Sequence, residues 1–109
     1  MITEAIEMLV NKNSMEDKIQ LLAQANGKDY ILNKLAEECA EYIAAHIKIH
    51  NDGADMIKLA DRASELADIC VLIRQLEEIG TEEEKDIIRN EMEMKVDRTL
   101  VRMTLREGT

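Results

Sequence analysis

The chain has 109 residues, a mass of 12.4 kDa and 23 acidic against 14 basic residues, for a formal net charge of −9. This length allows one domain, spanning 1–109, and the charge lacks the cationic footprint that nucleic acids and anionic lipid surfaces require, so neither is an expected partner. With no Pro, Phe or Trp, two Tyr, four Gly and 46% apolar residues, the composition favours helix over strand and gives an all-α fold.

The first element is a short amphipathic helix over 2–11, with Ile2, Ala5, Ile6, Leu9 and Val10 on one side. Ser14 opens the next, and Ser14 with Asp17 has capping-box-like spacing. Met15, Ile19, Leu22 and Ala23 continue that helix to about Ala25, where Asn26-Gly27 is a stop signal. Asp29 can cap a helix over about 30–50, along which Leu32, Leu35, Ala36, Cys39, Ile43 and Ile47 keep helical spacing. Asn51-Asp52-Gly53 ends it. A helix over about 55–79 follows, closed by Gly80, and it is apolar around so much of its circumference that burial on several sides is expected. Thr81 and Glu84 form a capping box for a last helix running to about Leu105.

Short connections imply antiparallel neighbours, so the expected architecture is a bundle of four to five helices. A domain this small with so broad an apolar helix is expected to assemble as a homodimer or homotetramer. Cys39 and Cys70 make no disulfide framework and read as buried free thiols, and the seven Met as core and interface filler. No export segment or membrane span is apparent, so a cytoplasmic protein is expected.

Two acidic strings stand apart from the general acidity. One is Glu37-Glu38-Cys39-Ala40-Glu41, the other Glu65-Leu66-Ala67-Asp68, and both lie mid-helix, where the helix dipole does not account for them. At about 100° per residue, Glu38, Glu41 and Lys34 share one flank of the apolar stripe on the 30–50 helix, with Glu37 further round. Glu65 and Asp68 share a stripe with Asp61 on the 55–79 helix. If these helices are antiparallel neighbours, four carboxylates converge, and they cannot all ionise without compensation. An all-oxygen donor set suits a hard divalent cation, Mg²⁺ with Mn²⁺ as a substitute. The competing reading is a solvated charged face in which Lys34 pairs with Glu38.

E-E-x-x-E followed after 23 residues by E-x-x-D, with Lys34-Leu35-Ala36 before the first string and Lys95-Val96-Asp97-Arg98 on the last helix, resembles the all-α nucleoside triphosphate pyrophosphohydrolases, the MazG-like group. The resemblance covers about residues 28–103. It implies that Glu38, Glu41, Glu65 and Asp68 ligate Mg²⁺, and that Glu37 is an outer group, a ligand to another ion or an orienter of the attacking water. It further implies hydrolysis of a nucleoside triphosphate to the monophosphate and pyrophosphate, by water attack at the α-phosphorus. Lys95 and Arg98 are expected to contact phosphate, Lys34 is a further candidate, and Arg102 more readily pairs with acids. Asp97 departs from relatives with a neutral amide there, and only Tyr30 and Tyr42 offer an aromatic surface for a base.

His46 and His50 are four apart on one helix, but no third ligand or zincin glutamate accompanies them, so helix-end or interface roles are expected. No phosphate-binding Gly loop or activated nucleophile is present. Two alternatives stand beside the leading reading. One is phosphoribosyl-ATP pyrophosphohydrolase, which has similar acidic strings. The other is a non-catalytic helical interaction module.

Overall fold

A computed structural model describes residues 2–107, all-helical apart from short connections. Met1, Gly108, Thr109 and the side chain of Ile2, assigned above to the first apolar face, lie outside the described residues. Five helices run in chain order: α1 (Ile2–Lys12), α2 (Met15–Asn26), α3 (Lys28–Asp52), α4 (Met56–Ile79) and α5 (Glu82–Glu107). The chain divides into two compact units, Met1–Ile79 and Gly80–Thr109. No helix among the described residues is long and apolar enough to cross a membrane.

Local chemistry sets the boundaries. The Ser14 hydroxyl accepts the Asp17 N–H at 3.1 Å, which satisfies an otherwise orphaned donor at the start of α2. Gly27 ends α2 at φ 79°, a conformation that favours glycine, and its N–H donates to the Ala23 carbonyl at 3.1 Å. Asp29 does not cap α3. Gly27 serves as both the end of α2 and the N-cap of α3, so Asp29 already lies in the first turn. Asp55 caps α4 instead, accepting the Lys58 N–H at 2.8 Å. That bond is the main reason its carboxyl is held below its ordinary range. Thr81 caps α5 as its spacing predicts, accepting the Glu84 N–H at 3.1 Å.

In the first unit α3 and α4, 25 and 24 residues long, are joined only by Gly53, Ala54 and Asp55 and pack along their length, an antiparallel hairpin. α2 packs on α4 and, less extensively, on α3. Ala23, Ile31 and Leu72 form the core, with Leu35, Leu76 and Ile79 against them, and Ile19 is also buried. Beside it the buried Gln75 accepts from the Asn26 amide at 3.0 Å, tying α4 to the end of α2. An Arg74–Glu16 ion pair makes a second α4–α2 link.

This core is smaller than the apolar pattern predicts. Leu59, Leu66, Val71 and Ile73 of α4 remain exposed, because α2 and α3 cover only one side of the helix. For the same reason Cys70 is exposed and Cys39 only half-buried, correcting the expectation of two buried thiols. Met8, Met15, Met56, Met92, Met94 and Met103 are all exposed, so none is core filler. In the second unit α5 buries no side chain, although Ile87, Ile88, Met92, Leu100 and Val101 lie along it.

Candidate metal centre

The α3–α4 hairpin brings the two acidic strings together. Glu38 of α3 with Glu65 and Asp68 of α4 can each offer a carboxylate oxygen such that all three atoms lie within 4.8 Å of one another. The antiparallel pairing of two long helices does this directly, since the middle of α3 meets the middle of α4. Glu38 is only 7% exposed, Glu65 is half-buried and Asp68 is exposed, so the cluster grades from the seam out to solvent.

Its electrostatics are unfavourable without a counter-charge. Burial above all, then the adjacent Glu65 carboxyl and the nearby charges of Glu41 and Asp68, pushes the Glu38 carboxyl up to about 7. Glu65 is raised as well, chiefly by burial and then by Glu41 and Asp68. Oε2 of Glu38 and Oε2 of Glu65 are both buried with no hydrogen-bond partner. A buried carboxylate oxygen without a donor is costly, and a hard cation would satisfy both. The donor set, oxygen throughout, fits Mg²⁺ or Mn²⁺.

The remaining site residues divide. Glu41 is exposed but close enough to act on both Glu38 and Glu65. Glu37 points outward and pairs with Lys34, whose ammonium lies 3.3 Å from it and 3.8 Å from the Glu38 carboxylate. The Lys34 ammonium is raised above its ordinary range, first by that contact with Glu37. Lys34 thus answers part of the acidic charge from the outer side. Lys95, Arg98 and Arg102 are exposed along α5, in the second unit.

Arg62 belongs to the same seam, although spacing along the chain does not single it out. It lies on α4 one turn before Glu65, and its guanidinium is 3.0 Å from His46 Nδ1 on α3. The signal was the hairpin register. With Glu38 opposite Asp68, two turns further along α3 and two turns back along α4 bring His46 opposite Arg62. His46 is accordingly an interface histidine. It also stacks on Tyr42, with ring centroids 6.4 Å apart and planes at 15°. Tyr30, the other aromatic, is exposed on the first turn of α3.

Comparison of the chain with protein-family models, with curated proteins and with solved structures finds no match in any of the three.

Proposed function

We propose that the protein is a Mg²⁺-dependent nucleoside triphosphate pyrophosphohydrolase, with its metal held by Glu38, Glu65 and Asp68 and supported by Glu41. The observation that carries this reading is the pair of buried, unpartnered Oε2 atoms of Glu38 and Glu65 within one carboxylate cluster. A structural carboxylate would have a donor, and a solvated charged face would not bury Glu38. The resemblance of the two acidic strings to the MazG-like pyrophosphohydrolases supplies the reaction.

In that reaction water adds to the α-phosphorus and the bond from that phosphorus to the α,β-bridging oxygen breaks, giving a monophosphate and pyrophosphate. The cation supplies charge neutralisation and Lewis-acid polarisation of the phosphoryl oxygens. Glu38, Glu65 and Asp68 would hold it, and Glu41 would add negative charge that strengthens the site. Glu37, at the solvent side and tethered by Lys34, is placed to orient water or accept its proton. Lys34 can also swing from Glu37 to an incoming phosphate. The assignment of Lys95 and Arg98 to phosphate rests on the sequence resemblance. Incubation with nucleoside triphosphates and Mg²⁺ tests the proposal, which requires pyrophosphate release that chelation of the metal abolishes.

Self-association belongs to the same proposal. Ile43 and Ile47 of α3, Leu66 and Ile73 of α4 and the apolar residues of α5 are all 42% exposed or more. Apolar surface on this scale, in each of the two units, marks interaction surfaces. A second copy of the chain is the partner we infer, and light scattering should give a mass at least twice 12.4 kDa.

A further inference from the structure

Next to the acidic cluster, on the same α3–α4 seam, a cavity of about 410 Å³ is lined by Tyr42, His46, Leu59, Arg62, Ala63 and Leu66. Tyr42 is one helical turn and His46 two turns beyond Glu38, while Arg62 is one turn before Glu65. The stacked rings of Tyr42 and His46 provide a flat π surface, and Leu59, Ala63 and Leu66 an apolar wall. The polar edge has a definite hydrogen-bonding sense. A guanidinium can only donate, so in the 3.0 Å Arg62–His46 contact Nδ1 accepts and the imidazole proton sits on Nε2. The spare N–H groups of Arg62 and the Nε2–H of His46 therefore offer donors alone.

We propose that this cavity seats the base of the substrate and that Arg62 makes it select guanine. The proposal rests on the triphosphate reading of the neighbouring carboxylates. One ribose separates an α-phosphate from its base, a span that fits the one to two turns between Glu38 and the Tyr42–His46 pair. Guanine presents two adjacent acceptors, O6 and N7, to the fork of an arginine, whereas each acceptor of adenine stands alone or beside its amino donor. Uracil has two carbonyl acceptors, but they flank its N3–H and do not meet one fork together, and cytosine offers only its O2–N3 edge, so both pyrimidines rank between guanine and adenine.

The test combines turnover with metal-free binding. Pyrophosphate release is measured for GTP, ATP, CTP and UTP with Mg²⁺, in wild type and in Arg62→Lys, which keeps the charge but loses the fork. Binding is followed by titrating GMP in EDTA and observing the imidazole NMR signals of the two histidines. The expected result is a kcat/KM for GTP about tenfold or more above that for ATP, collapsing toward unity in Arg62→Lys. GMP should shift the His46 signals and leave those of His50 in place. A wild-type ratio near unity overturns the base seat, as does a ratio that survives Arg62→Lys. So does an equal weakening of all four nucleotides in that variant, which would make Arg62 a phosphate contact. If no triphosphate is hydrolysed, the hydrolytic reading fails on its own account and the GMP titration decides the seat. A His46 shift then supports it, and unmoved His46 signals overturn it.

Discussion

Glu38 and Glu65 face each other across the α3–α4 seam, each with a buried Oε2 that no donor reaches. Two carboxylates in that position resist losing both protons, so the metal-free protein carries a built-in conflict at neutral pH.

That conflict gives a pH dependence of definite sign. The folded-state carboxyl of Glu38 sits at about 7 against an ordinary 4.5, so the folded protein holds more protons than the unfolded chain between these values. The raised Glu65 acts in the same direction. Stability of the metal-free protein is therefore full below about pH 4.5 as far as these groups are concerned, and falls as pH rises through 7. Thermal melts in EDTA at pH 5 and pH 8 should show the lower midpoint at pH 8. Added Mg²⁺ should raise the midpoint at pH 8 and do little at pH 5, where protons occupy the site.

Glu38→Gln separates stability from function. The amide keeps the shape, removes one charge and can donate to Glu65. We expect a higher melting temperature than wild type in EDTA at pH 8, no further rise with Mg²⁺, and unchanged helical circular dichroism. Pyrophosphate release should fall by more than the roughly 10- to 100-fold that loss of an outer-sphere partner costs a metal site. Asp68→Asn should lose turnover similarly with a smaller gain in stability, because Asp68 is exposed.

Much of this site was legible in the sequence because helical geometry turns spacing into direction. E-E-x-x-E and E-x-x-D place Glu38 and the Glu65–Asp68 pair on helix faces, and a three-residue link makes those faces meet. The Ser14 and Thr81 caps were equally plain, since each depends on residues three apart. What spacing could not supply was coverage. Apolar pattern marks which residues can be buried, not whether another helix arrives to bury them, and Cys70, Leu59 and Met56 stayed exposed for want of one. Arg62 escaped notice because its partner, His46, is 16 residues away on another helix, and only the register relates them.

The small core makes each buried contact count. Ile31 is fully buried between Ala23 and Leu72, so Ile31→Ala should cost about 3 kcal/mol in chemical denaturation, from lost burial and the cavity left behind.

The Asn26–Gln75 bond should behave as a buried polar pair. Asn26→Ala strands the Gln75 side-chain oxygen at a position 3% exposed and should cost about 1–3 kcal/mol. Adding Gln75→Leu should recover part of that loss, because both polar groups are then gone. Denaturant midpoints of the two single variants and the double variant measure the coupling.

We propose that water attacks the α-phosphorus at a site formed by Glu38, Glu65 and Asp68. Hydrolysis of a nucleoside triphosphate with Mg²⁺ in ¹⁸O-water, followed by ³¹P NMR, tests it most directly. The monophosphate should carry the label and the pyrophosphate none, with both products lost in Glu38→Gln. Diphosphate with labelled inorganic phosphate, or turnover undiminished in Glu38→Gln, would contradict it.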